Sequence, residues 1–263
     1  MRAKSLFTRA AAVLSAVALS LSLGACGASR AGDVTVSQST AAAGSGDTTT
    51  AEFGSYTASN VGSLDWTMQK APNYYEVIGK ASVDKTLPKG TVKNAEVDSL
   101  GRAGVAEATV TQKMREEGSE RDRNMQDPAG WPKSNPKVYI TLDTGKKYHG
   151  NFWNRSHEIA KSLGGADTAD NMVIGTRMQN VGDNNPAGGM AYTETLARDW
   201  LDKHKDGVVY YNVTPIYEDN DMVPKVSIVN ILTSDDSIDQ CVKVYNAANG
   251  YTIDYANATF TKN

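Results

Sequence analysis

The sequence predicts an α+β fold: a mixed, largely antiparallel sheet with helices. Two observations predict it. Apolar and polar residues alternate with strand period at two places in the chain, over residues 137–142 and 239–245. The order of elements is strands, a hairpin, a small helix, a longer helix and then strands, which groups the helices instead of alternating them with strands.

Taken in order, residues 77–83 and 91–97 have weak strand character, with Lys89-Gly90 as a turn. Residues 103–111 mix Val and Ala and suit a strand or a short helix. Residues 114–125 are dense in charge and read as a loop. Residues 137–142 form a strand, Asp143-Thr144-Gly145 a hairpin turn, and residues 147–153 the return strand, which ends at Asn154-Arg155-Ser156-His157. The period then changes: Ile159, Ala160 and Leu163 have helical spacing, and Gly164-Gly165 stops that helix. Residues 170–179 are helical or extended around a polar cluster. Residues 190–204 make the best helix, with Tyr192, Leu196, Trp200 and Leu201 on one face and Gly207 ending it. Residues 208–216, 223–232, 241–245 and 251–260 read as strands, with Asn249-Gly250 as a tight hairpin between the last two.

The N-terminus sets the compartment. Arg2, Lys4 and Arg9 precede an apolar run over residues 10–23, and Leu23-Gly24-Ala25-Cys26 closes it with small residues. A basic head, a short apolar core and a small-residue cleavage site make a secretory signal, here with a lipobox that leaves Cys26 as the acylated N-terminus. The core is too short and wrongly flanked for a spanning helix. Beyond it the chain is rich in Ala, Gly, Ser and Thr and poor in large apolar residues, so burial cannot offset the entropy of ordering. The expected organisation is a lipoprotein signal peptide over residues 1–25, a flexible tether over 26–60 and one folded domain over 61–263. That places the domain at the extracellular face of the cell membrane, with release from the surface left open. Cys241 is then the remaining thiol, expected in a strand and in the core, and stability must come from packing or metal.

Charge is unevenly distributed. The whole chain is −3. Residues 102–161 hold eleven Lys/Arg against eight Asp/Glu, whereas residues 162–263 hold seven against fourteen. A protein that coats nucleic acid would be basic throughout. This one offers a local positive surface, which suits an enzyme that must release a polyanion.

Of the three histidines, His149, His157 and His204, only His157 keeps telling company. It lies two residues after Arg155. The amides Asn171, Gln179, Asn180, Asn184 and Asn185 follow, with Arg177 among them and Glu194 on the long helix. The sequence offers no Ser-His-Asp candidate with supporting context, no His/Cys cluster for zinc and no glycine-rich phosphate loop with a Lys. What remains is one base, cations, amide oxygens and a carboxylate. A hard divalent cation such as Mg²⁺ takes oxygen ligands, keeps several waters and needs few direct protein ligands when a phosphate completes its shell. A histidine can then take a proton from water.

The linear pattern sharpens this. Residues 153–165, Trp153-Asn154-Arg155-Ser156-His157-Glu158-Ile159-Ala160-Lys161-Ser162-Leu163-Gly164-Gly165, resemble the Asp-Arg-Gly-His segment of the DNA/RNA non-specific endonucleases, of the His-metal finger or ββα-metal superfamily. The branch with the streptococcal secreted DNases is the most similar. The resemblance continues through residues 170–180 and 189–194, with upstream matches at 98–102 and 128–131, and covers residues 98–263. It implies an embedded ββα-metal finger and a metal-dependent, sequence-non-specific endonuclease hydrolysing phosphodiester bonds of DNA and RNA. Mg²⁺ is the implied cofactor, with Mn²⁺ or another divalent cation as alternatives. It also implies roles: His157 as general base, Asn180 as metal ligand, and Asn171 as a second Asn supporting the site by hydrogen bonding. Glu194 would hold water beside the metal or orient neighbouring groups, and Arg155 would contact phosphate. Asn154 and Ser156 depart from the usual Asp and Gly of that segment. The alternative is a surface lipoprotein that binds DNA without cutting it, whose mark would be a degenerate site; His157, Asn171, Asn180 and Glu194 argue against degeneration.

Overall fold

The computed structural model describes residues 56–118 and 125–263. The signal peptide and nearly all of the tether lie outside the described residues. The elements are β1 (Tyr75–Gly79), β2 (Thr91–Asn94), β3 (Ala106–Thr111), α1 (Gln112–Glu117), β4 (Lys137–Thr141), β5 (Lys147–Asn151), β6 (Trp153–His157), β7 (Met172–Thr176), α2 (Arg177–Val181), α3 (Met190–Lys203), β8 (Val208–Ile216), β9 (Val226–Thr233), β10 (Asp239–Tyr245), β11 (Tyr251–Asp254) and β12 (Thr259–Lys262). Single 3₁₀ turns lie at Lys161–Leu163 and Ala169–Asn171.

The main sheet has six strands in the order β1-β10-β9-β8-β3-β2, and every pair is antiparallel. One face packs Val110, Val209, Tyr211, Val213, Ile231 and Val244 against Met190, Ala197, Trp200 and Leu201 of α3. The other face carries Ile216, Ile228, Cys241 and Tyr245 under Val61 and Ala71. Coverage on both sides explains why all of β9 is buried and why its alternation is weak. Cys241 is a buried free thiol. Tyr56, which composition places in the tether, already packs there, its hydroxyl 3.7 Å from the Cys241 sulfur. A second core joins three two-stranded sheets, β4–β5, β6–β7 and β11–β12, through Ile140, Phe152, Trp153, Ile174 and Met178. Phe260 of β12 stacks on Phe152 at 3.7 Å.

The fold class is the predicted one, but local elements differ. The start of the charge-dense segment is helix α1, not loop. Thr111 Oγ1 caps it by accepting from Met114 N at 3.4 Å, and Lys113 and Glu117 pair at i,i+4. The return strand of the hairpin stops at Asn151, and Trp153–His157 is a new strand that pairs with β7 instead. The expected helix after His157 shrinks to one 3₁₀ turn, ended by Gly164 at φ 96°. Residues 251–260 are not one strand. Asp254 Oδ1 accepts from Ala256 N and Asn257 N and turns the chain, so β11 pairs with β12 and not with β10.

Candidate active site

Strands β6 and β7 pair antiparallel from Trp153↔Thr176 to His157↔Met172, and α2 follows β7 without a gap. Thr176 makes that junction: its Oγ1 accepts from Gln179 N at 2.9 Å and caps α2. This is a strand–strand–helix unit. Gly175 leaves room for its neighbours, because a Cβ there would sit 2.8 Å from the Ser156 Cβ of β6 and 2.2 Å from Gln179 Oε1 of α2. Buried Asn246 fastens the unit to the main sheet. It accepts from Thr176 N at 2.8 Å and donates to Ile174 O and Pro224 O at 2.9 Å each.

His157 ends β6, with 14% of its side chain exposed. Its Nε2 lies 2.8 Å from Asp167 Oδ1, and Lys161 Nζ lies 2.5 Å from Asp167 Oδ2. Burial opposes the charge on Asp167, but the hydrogen bonds from Lys161 and His157 outweigh it and hold the carboxyl below the usual carboxylate range. An ionised carboxylate only accepts, so Nε2 carries the proton and Nδ1 of the neutral ring presents the lone pair.

Asn171 holds the loop that delivers Asp167. Fully buried, it accepts from Ile159 N at 3.0 Å and donates to Ile159 O and Ala166 O at 2.9 Å each. All its partners are backbone, so its place is that of a positioning residue, not a group at the reacting atoms. Asn180 lies on α2, where its Oδ1 accepts from Ser156 Oγ at 3.3 Å. Ser156 thus supplies a donor that glycine could not, and as part of an extended strand it needs no glycine-only backbone angle. Glu194 sits on α3 with Arg198 Nη1 3.5 Å from its Oε2. Burial raises its carboxyl above the usual range, and Arg198 only partly offsets this. Arg198 also donates to Ser162 Oγ at 3.1 Å, tying α3 to the His157 loop. The Arg155 guanidinium carbon lies over the Trp131 ring, 4.4 Å from its centre, and Nε donates to Asp127 Oδ1 at 2.6 Å.

One unit therefore carries Arg155, His157, Asn171 and Asn180, and Glu194 joins it through Arg198. Among the described residues, no hydrogen bond or ion pair directly links His157, Asn180, Arg155 and Glu194 to one another. His149 and His204 stand elsewhere, stacked on Tyr139 and Trp200. Sequence reasoning did not single out Asp167, Lys161, Asp127, Trp131 or Arg198 as site partners. Among the described residues no three His, Cys, Asp or Glu side chains cluster as a metal cage. Asn180 Oδ1, with a single long hydrogen bond, keeps acceptor capacity. That donor set fits a hard cation held by one protein oxygen, with water and phosphate completing the shell.

Glu158, the next residue after His157, faces the interior. It is fully buried and neither carboxylate oxygen has a hydrogen-bond partner. Burial pushes its carboxyl up to about 8. The native state therefore holds a proton that the unfolded chain releases near its ordinary pKa of about 4.3. This contribution to stability is complete below that pH and is lost as pH rises through about 8. Glu158→Leu is expected to raise stability at pH 7 by roughly 3 kcal/mol and to flatten the decline between pH 5 and 8. Denaturant unfolding at several pH values checks this; an unchanged slope would show that Glu158 does not titrate this way.

The sequence matches the DNA/RNA non-specific endonuclease family over residues 72–261. A deoxyribonuclease from Streptococcus dysgalactiae subsp. equisimilis is 37% identical over 122 residues, covering 46% of this chain and 37% of that relative. The match thus spans little more than a third of the relative's length. Among solved structures, Sda1 nuclease with a bound zinc ion has 30% identity and a TM-score of 0.71, covering 75% of this chain and all of that one. NucA from Streptococcus agalactiae with no metal bound has 26% identity and a TM-score of 0.54, covering 68% and 80%. NucA with a magnesium ion bound shares the fold at 24% identity and a TM-score of 0.59, covering 78% and 94%. With the family match spanning most of the chain and the strand–strand–helix unit in place, this chain belongs to the DNA/RNA non-specific endonuclease family.

Proposed function

We propose that the protein hydrolyses phosphodiester bonds of DNA and RNA without sequence preference, using Mg²⁺, at the extracellular face of the membrane. The observation that carries this is His157, its tautomer fixed by Asp167, on the strand whose Ser156 contacts Asn180. His157 Nδ1 is the base that takes the proton from the attacking water. Asn180 Oδ1 would hold the cation, which when bound neutralises charge on the scissile phosphate. Arg155 grips phosphate by exchanging its Asp127 partner for a phosphate oxygen, while the Trp131 ring holds the guanidinium in place. Glu194 orients the groups around the cation from α3. None of these side chains reports base identity, and phosphate contacts carry no sequence information by themselves. The zinc ion in the Sda1 structure supports a divalent cation, and the oxygen donor set favours Mg²⁺ over softer metals.

The test is to incubate the purified mature chain with plasmid DNA and with RNA, with Mg²⁺, with Mn²⁺ and with chelator, and to sequence early ends. Both substrates are expected to be cut only with the cation, leaving 5′-phosphates and no multi-base motif. Strong enrichment of one motif would overturn the non-specific reading, and retention without cutting would favour DNA capture. For the anchor, Cys26→Ser is expected to move the protein from the membrane to the soluble fraction, because stable attachment needs more than one lipid chain or signal. Unchanged partition into membranes would exclude acylation at Cys26.

A further inference from the structure

Strands β4 and β5 form a hairpin with one face that neither core uses. Their register pairs Lys137 with Asn151, Tyr139 with His149 and Thr141 with Lys147. Alternation puts these side chains opposite the buried Val138 and Ile140. Tyr139 is 60% exposed, more than any other large hydrophobic side chain among the described residues. Its ring stacks on His149 at 4.1 Å with an interplanar angle of 6°. Lys137 and Lys147 bracket this stack, each two positions along the strands from it and roughly 13 Å apart along the hairpin.

The charge here is unspent. Lys133, Lys137, Lys146 and Lys147 are all exposed, and none makes an ion pair among the described residues. Lys70, Lys80, Lys93, Lys161, Lys225 and Lys243 are each paired with a carboxylate. The acids of the hairpin region, Asp143 and the Asp183 that accepts from Thr144, lie at its turn end. The opposite end adjoins the catalytic strand. Asn135 brackets Trp153 with two hydrogen bonds, of 2.8 and 2.9 Å, and Pro136 O accepts from Phe152 N at 3.2 Å. A groove of about 600 Å³ lined by Trp131, Lys133, Pro136, Trp153 and Phe260 lies beside these contacts. Its lining includes Trp131, on whose ring Arg155 packs, and Pro136, which leads directly into Lys137.

We propose that the outward face of the β4–β5 hairpin is a second nucleic-acid contact, distinct from the catalytic residues, which holds an unpaired stretch of the substrate strand. Tyr139 stacks on an open base, and Lys137 and Lys147 take the phosphates on either side. Base–aromatic stacking tolerates any sequence, because every base has a π-face. A duplex keeps its base faces covered, so the contact selects single-stranded segments. Unpaired lysines favour a polyanion over a protein partner, since Lys is depleted in protein interfaces. The groove between the hairpin and Trp131, the ring that holds Arg155, favours the substrate strand over an anionic lipid surface. The proposal rests on the nuclease reading, but its test does not need catalysis.

The experiment measures binding of the mature chain to a labelled single-stranded oligonucleotide and to a duplex by fluorescence anisotropy in chelator, over a range of salt. Tyr139→Ala is expected to weaken single-strand binding about tenfold, with Tyr139→Phe near the parent and duplex binding little changed. Lys137→Ala with Lys147→Ala should reduce the slope of log K against log salt by about 1.4, at about 0.7 per phosphate contact on a single strand. Cleavage of a small chromogenic phosphodiester with Mg²⁺ should be unchanged in all variants. If the parent binds as expected but cuts nothing, the nuclease reading fails while this contact stands. Unchanged affinity and salt slope in both variants would overturn it. So would a loss confined to binding of anionic vesicles, or a change of oligomeric state with oligonucleotide binding intact.

Discussion

His157→Ala is expected to leave a folded protein that cuts nucleic acid about 10³-fold more slowly, within the range that a positioned general base supplies. The fold should survive because the imidazole's polar partner, Asp167, keeps Lys161 at 2.5 Å, so no buried charge is orphaned. Asp167→Asn should lower kcat about tenfold with KM unchanged, since the amide no longer fixes which ring nitrogen carries the proton. His149→Ala and His204→Ala should match the parent on the small diester, as both rings stack on aromatic residues away from the unit. Circular dichroism together with single-turnover cleavage separates these cases. Full activity in a folded His157→Ala protein would remove this histidine from the chemistry.

What the sequence shows of this fold follows from where each element is buried. Helix α3 was readable because its apolar residues recur on one face, and strand β8 because it is a run rich in Val and Tyr that starts just after Gly207; their observed limits nearly coincide with the expected segments. The finger was harder. Trp153–His157 and Met172–Thr176 are five-residue strands whose paired residues are fifteen or more positions apart across an irregular loop. No local period announces such a pairing. Residues 170–179 could not be assigned because three elements change within them: a 3₁₀ turn, a strand and a helix capped by Thr176. In the same way Asn249-Gly250 has turn chemistry, yet β10 is already paired on both sides by β1 and β9, so the strand after the turn pairs elsewhere.

The site divides along the same line. His157, Asn180, Arg155 and Glu194 were legible because the linear segments around them resemble a known family, and residue type states what each can do. Asp167 and Lys161 were not. They come from a loop whose shape is set by Asn171 bonding three backbone atoms, a contact with no spacing signature. Asp127 and Trp131 reach Arg155 from a distant upstream segment, a contact that no local spacing announces. Glu158 shows the reverse case. Its charge would place it at the surface, yet it is completely buried.

Asn180→Ala is expected to weaken Mg²⁺ binding about 100-fold, at the upper end of the loss from residues that merely orient metal ligands. DNA affinity measured in chelator should hardly change, because phosphate is gripped by Arg155 and other cations. The two effects separate because a carboxamide oxygen serves a hard cation, whereas a guanidinium serves phosphate. The fold should tolerate the change: Asn180 is half-buried on a short helix, and alanine has the higher helix propensity. Ser156→Ala should reproduce a smaller part of the loss, about threefold, since it removes only the 3.3 Å donor that orients Oδ1. Asn180→Asp keeps an oxygen in place and adds charge, so its cation affinity should be retained while the alanine variant's falls. Calorimetric titration of Mg²⁺ into the three variants and the parent reads this directly, and raising Mg²⁺ should restore part of the alanine variant's cleavage. An unchanged Mg²⁺ affinity in Asn180→Ala would place the cation on other oxygens, and the arrangement of strand, strand and helix around His157 would then need a different ligand.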